Sequence, residues 1–260
     1  MKRSLFEDDS QHPDRSLASS HTAEAIRKRL SDGPSQSYLR DFIYGAMDGT
    51  VTTFAVVSGV AGAGLSNGIV IILGLTNLMA DGFSMAVGNY LGTKAEAGQR
   101  DRARDEERRH IELLPDGERE EIRQILARKG FTGQDLEQAV NVITGDISRW
   151  IDMMVQEELG LSLTTPSPTK AALATFGEFI LIGLIPLFPF LVQWVLPGSF
   201  STPFLWSSLS TLVAYFCIGA AKSRYTAQRW YRAGIETLLI GVVAAGLAYG
   251  VGLLLKNITP

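Results

Sequence analysis

Apolar residues gather in five blocks along the chain, near 39–63, 67–92, 171–195, 203–221 and 233–255. Each is about 20 residues or longer, enough for a helix to cross a bilayer. The first two are joined by GAGLSNG, which carries no charge. Gly59, Ala61, Gly62, Ala63 and Gly64 close the first block, and such small residues let helix backbones approach closely. Pro186 and Pro189 predict a kink in the third.

Between the second and third blocks the pattern changes. Residues 93–165 hold 11 Lys/Arg against 16 Asp/Glu. Their apolar positions follow helical spacing, so this block predicts charged helices. Residues 94–113 continue the second span outward. Pro115 suits the first turn of the next helix, which runs to about Arg128 with Gly130 as its C-cap. Thr132-Gly-Gln-Asp135 resembles a capping box for a third helix. Ile147 to Leu159 predicts a fourth, with Ile147, Trp150, Ile151, Met154 and Leu159 on its apolar face. Ahead of everything, residues 1–37 are polar and charged and lack the apolar core of a signal peptide. They predict a disordered tail carrying His12 and His21, with a short helix over Thr22 to Leu30.

Charge along the loops orients the spans. Basic residues lie before the first span, between the second and third, and between the fourth and fifth (Lys222, Arg224, Arg229, Arg232). The other loops are short and nearly chargeless, so the basic side is cytosolic. Trp194, Trp206, Trp230 and Tyr231 sit near span ends, where amphipathic rings anchor. The expected fold is all-α: a five-span transmembrane helical protein with a cytosolic helical acidic domain inserted between spans 2 and 3. The segments are a tail over 1–37, spans 1 and 2 over 38–92, the cytosolic domain over 93–165, and spans 3 to 5 over 166–256. The N-terminus is then cytosolic and the C-terminus outside.

A formal net charge of −3 offers nothing to nucleic acid. The one cysteine, Cys217, falls in a span, so neither an intrachain disulfide nor a Cys/His zinc motif is available. Polar residues inside the spans are more telling. Asp48 lies in the first; Asn77, Asp81 and Met85 lie in the second at i, i+4 and i+8, on one stripe. A carboxylate in hydrocarbon costs roughly 2.5–3.5 kcal/mol on insertion scales, so it faces protein, water or an ion. Measured from the cytosolic surface, Asp48 and Met85 reach similar depths, about 12 Å and about 10 Å at 1.5 Å per residue. Oxygen ligands with a thioether suit Fe2+ or Mn2+ better than Ca2+ or Mg2+. Glu178 in the third span is a candidate proton-relay carboxylate, with a structural role as the alternative. Glu236 is expected to pair with Arg232 one turn earlier, and Asp41 to cap or pair at the membrane surface.

The acidic block repeats the theme. Glu107 and His110 are i, i+3 on one helix, Glu118 and Glu121 on the next, and Met154 and Glu158 are i, i+4 on the last. Packed as a bundle, these six could converge on a first-row divalent metal; the alternative is a set of solvated charged faces. A membrane-anchored di-iron carboxylate oxidase or storage protein is a competing reading. It needs two Glu-x-x-His units, and the chain has Glu107-x-x-His110 alone. It also leaves Asp48 and Met85 without a role.

YGAMDGTVTTFAVVSGVAGA and ADGFSMAVGNYLGTKAE resemble the first two spans of the vacuolar iron transporter family. WIDMMVQEELGL, PLFPF and RAGIETLLIG follow in the family's order. The resemblance covers about 38–255. It implies a transporter, not an enzyme, without a prosthetic group. It implies a homodimer in a lipid bilayer whose pathway runs between subunits, and export of Fe2+, often Mn2+, from the cytosol against protons. A bacterial inner membrane is the expected location. Asp48 and Met85 match the family's pathway residues. Asn77 falls where a glutamate is common, and Asp81 is the candidate substitute. Glu107, Glu118, Glu121, Met154 and Glu158 fall at ligand positions. His110 stands where glutamate is usual, Val155 where a second methionine is, and Met47 where asparagine precedes the aspartate.

Overall fold

The computed structural model describes residues 19–32, 39–224 and 226–257. Most of the expected tail, His12 included, lies outside the described residues, as do the side chains of Arg40 and Asp41. The described residues form ten helices and no strand. The N-terminal unit (1–37) contains α1 (Ala23–Asp32). The Thr22 hydroxyl accepts from the Ala25 N–H at 3.3 Å and starts the helix.

The second unit begins with α2 (Leu39–Gly62) and α3 (Asn67–Leu113). As expected, α3 continues past its apolar part into the charged block. Its 47 residues extend about 70 Å at 1.5 Å per residue. There follow α4 (Pro115–Arg128), α5 (Gly133–Thr144) and α6 (Ile147–Glu157). The remaining helices are α7 (Pro168–Gly183), α8 (Phe188–Val195), α9 (Pro203–Lys222) and α10 (Trp230–Leu255).

By length and composition α3, α9 and α10 are long and apolar enough to cross a membrane, and α7 with α8 makes a fourth such span if the bent pair is one. The two axes bend by 66° at the break. Pro186 sits in the break and supplies no N–H, so the helix ladder cannot continue through it. Its freed carbonyl accepts from the buried Ser207 hydroxyl at 2.6 Å, which ties α9 to the bend.

Helix α2 is long enough to span, but Asp48 and its threonines leave it less apolar than the others. Packing explains how that is tolerated: α3, α7, α9 and α10 all pack against it. Thr50 returns its hydroxyl to the Ala46 carbonyl at 2.6 Å, and Thr52 to that of Asp48 at 2.9 Å. Gly49 allows the approach of α7, because a Cβ there would lie 2.9 Å from the Phe179 carbonyl oxygen. Around α2 the core is Phe54, Val57, Val60, Leu78, Phe179, Leu187, Phe190 and Tyr215. The outward faces of α10 expose Leu239, Val243, Leu247 and Leu254, a surface that suits lipid tails and not water.

The charged block has its own core of Ile122, Leu126, Val140, Trp150, Ile151, Met154 and Val155. Several local expectations change here. Thr132 stands at the N-cap of α5, yet its side chain makes no cap hydrogen bond, so the capping box is not formed. Asp146 caps α6 instead, accepting from the Arg149 N–H at 2.9 Å. Ile147 and Leu159 are exposed, while Val155 is buried, because α6 turns its 150-151-154-155 face inward. Gly130 follows α4 at φ +98°, the left-handed turn expected of it.

Candidate metal centre

The best-defined cluster lies where α3 turns into α4. Glu107 and His110 share a face of α3, one turn before the chain reverses. The Leu114 N–H still bonds to the His110 carbonyl at 2.8 Å, and the Glu118 N–H bonds to that of Leu114 at 3.1 Å. The two helices therefore meet in a corner that Pro115 opens, and Glu118 returns to face Glu107 and His110. One ligand atom from each of the three lies within 4.8 Å of the others. His110 Nδ1 is 3.6 Å from Glu118 Oε1.

Both carboxylates are nearly sealed from water, Glu107 at 4% and Glu118 at 6% exposure. Oε2 of each has no hydrogen-bond partner. Buried carboxylate oxygens without donors are costly unless a cation balances them. Burial raises the Glu107 carboxyl to about 7, helped by Glu158, Glu118 and Glu121 and opposed by His110. Glu118 is raised by burial and then by Glu121, with His110 opposing. Glu158 is raised by burial and then by Glu121. Five of the six expected ligands thus share one electrostatic neighbourhood. Glu121 and Glu158 also line a cleft of about 240 Å³ with Gln124, Ile125, Arg128 and Glu157. The sixth, Met154, is fully buried in the apolar core of the block.

The surrounding charges are mostly committed to structure. Arg123 bridges Glu120 and Glu137, Arg104 pairs with Asp152, and Lys129 with Glu157 at 2.7 Å. The bridging guanidinium lowers both the Glu120 and Glu137 carboxyls. The unpaired oxygens at Glu107 and Glu118 therefore differ in kind from the solvated ion pairs around them.

In the membrane part, Asp48 on α2 and Asp81 on α3 are both half-buried, and their carboxylates lie within electrostatic reach of each other. Asn77 and Met85 flank Asp81 by one turn on either side and are half-buried too. The Asn77 amide nitrogen is buried without a hydrogen-bond partner. Met85 packs against the core around α2. Glu178 on α7 lies against α2, with Oε2 3.7 Å from where a Cβ on Gly45 would stand. The expected Arg232–Glu236 pair is absent: both side chains are exposed and no ion pair joins them. Both side chains project from the first turns of α10 into open space, where an ion pair gains little.

Sequence reasoning missed Asn89. It continues the 77-81-85 stripe by one more turn. Its amide donates to the Thr175 hydroxyl at 2.7 Å and the Ala171 carbonyl at 3.4 Å, and its oxygen accepts from Thr93 at 3.3 Å. The i+4 spacing was the available signal.

Comparison with known proteins adds an independent line. A family model described as "VIT family" matches residues 39–253. The chain is 33% identical over 215 residues to "Vacuolar iron transporter 1" of Eucalyptus grandis, covering 82% of this chain and 84% of that protein. It is 32% identical over 214 residues to "Vacuolar iron transporter 1" of Arabidopsis thaliana, covering 81% and 83%. It is 31% identical over 249 residues to the "Vacuolar iron transporter" of Toxoplasma gondii, covering 91% and 82%.

Proposed function

The chain belongs to the VIT family, and from that premise we propose that it carries Fe2+, and Mn2+ as well, out of the cytosol in exchange for protons. It is a multi-pass membrane transporter rather than an enzyme. One observation carries the metal reading: two buried carboxylates and an imidazole, Glu107, Glu118 and His110, converge within 4.8 Å. Glu107 and His110 stand on the prolongation of the same helix that carries Asn77, Asp81 and Met85, and Glu118 on the helix that turns back from it.

Five spans follow if α2 and the bent α7–α8 pair each cross the bilayer. The charged block and the N-terminus are then cytosolic, in keeping with the basic loops. The block collects metal at Glu107, His110, Glu118, Glu121 and Glu158, with Met154 behind them. Its acidic surface raises the local cation concentration. The ion passes to Asp48, which shares its field with Asp81, and to Met85 one turn away. The Asp81 carboxylate stands in for the charge missing at Asn77, and Glu178 serves a proton. Metal binds the ionised carboxylates and protons bind the same oxygens, so the two species compete and their flows are coupled. A homodimer is supported by the exposed apolar face of α3 at Met79, Phe83, Val87 and Leu91. It borders a shallow groove formed with Leu75, Thr76 and Phe176.

The test is flux of Fe2+, Mn2+, Co2+ and Zn2+ into liposomes bearing an imposed pH gradient. Uptake of Fe2+ that rises with the gradient is expected. Flux of no metal, or oxygen consumption on adding Fe2+ without flux, would overturn the proposal.

A further inference from the structure

Helix α1 has no part in the mechanism above and lies ahead of the family match, which begins at residue 39. At about 100° per residue, Ala23, Ile26 and Leu30 form one apolar stripe. Arg27 and Arg29 flank it on either side, while Lys28 and Glu24 lie on the far face. Leu30 is 75% exposed, and Arg27, Lys28 and Arg29 are all exposed with no ion pair to a described residue. A narrow aliphatic strip between two long cationic side chains is the pattern of a helix lying in a lipid interface: the strip enters the acyl boundary and the guanidiniums reach phosphates.

We propose that α1 docks on the anionic lipid surface of the leaflet from which α2 enters the bilayer. This docking presupposes the reading above, in which α2 is a membrane helix. Six residues, 33–38, separate the end of α1 from Leu39, a stretch of about 20 Å at most. So short a tether holds α1 at high effective concentration beside the headgroups, and a small apolar strip with a few cations is then enough. The acidic helical block is the other anionic surface of the chain. It too exposes apolar side chains, Leu113 and Leu114 among them, and docking there is the outcome that the comparison of lipids below separates from docking on the bilayer.

The test uses the full chain with Cys217→Ser and an environment-sensitive fluorophore on either Leu30→Cys or Lys28→Cys. Each is placed in nanodiscs of phosphatidylcholine alone or with phosphatidylglycerol. At position 30, blue-shifted emission and several-fold weaker iodide quenching are expected in anionic discs relative to neutral ones. At position 28 the label stays open to iodide in both. Arg27→Gln with Arg29→Gln should erase the difference at position 30. Equal quenching at position 30 in both lipids overturns the proposal. So does equal shielding in neutral detergent micelles, which would show that anionic headgroups play no part in holding the helix. A chain that purifies as a soluble species and never enters discs would instead refute the membrane reading itself, and the docking with it.

Discussion

Replacing Glu107 by Gln removes one charge from the buried cluster while keeping its shape. The folded chain holds the Glu107 proton up to about 7, against an ordinary value of 4.5. Between those values the folded state binds a proton that the unfolded state has lost, so stability falls as pH rises through this window. The full shift corresponds to about 3 kcal/mol, and relaxation of the neighbouring acids and local water reduces it to about 2 kcal/mol. Metal-free Glu107→Gln should therefore be more stable than the parent by about 2 kcal/mol near pH 7.5, with the gain gone below about pH 4.5. Metal binding should move the other way, since a cation must displace the proton. The ionised fraction of Glu107 drops from about three quarters near pH 7.5 to about 3% near pH 5.5, a loss of about 25-fold in apparent affinity from this group. Denaturant or thermal unfolding of the full chain in detergent, with and without Mn2+ at both pH values, reads both effects. A variant no more stable than the parent near neutral pH, or one that binds Mn2+ as tightly, would refute a buried, cation-seeking carboxylate at this position.

Two further outcomes are expected. Asp48→Asn should reduce gradient-driven metal uptake in proteoliposomes to background while the protein elutes as the parent does; normal flux would remove Asp48 from the pathway. Glu118→Ala with Glu121→Ala should weaken metal binding by at least about tenfold, given charge-assisted ligation by both groups, and an unchanged calorimetric titration would contradict the collecting role.

Much of this was legible in one dimension. Block lengths and hydropathy placed the long apolar helices, since the bilayer demands a minimum apolar run. Pro115, Gly130 and Pro186 marked a helix start, a left-handed stop and a break, because each acts through its own backbone chemistry. The i, i+3 pairs Glu107/His110 and Glu118/Glu121 were readable as shared faces for the same reason. Span 1 was the hard case. Asp48 and its threonines are too polar for lipid, and only packing by four neighbouring helices shows how they are accommodated.

Periodicity determines which face of a helix a residue occupies, and with it the all-helical class, the helix order and the pairs that share a turn. It does not determine which neighbour stands opposite that face. The corner between α3 and α4 decided that Glu118 meets Glu107 and His110 and that both carboxylates leave water. Helix packing brought Asp48 within electrostatic reach of Asp81 and sent Met154 into an apolar core. Such pairings depend on distances between helices, which are set by interlocking side chains far apart in the chain and not by spacing within any one helix.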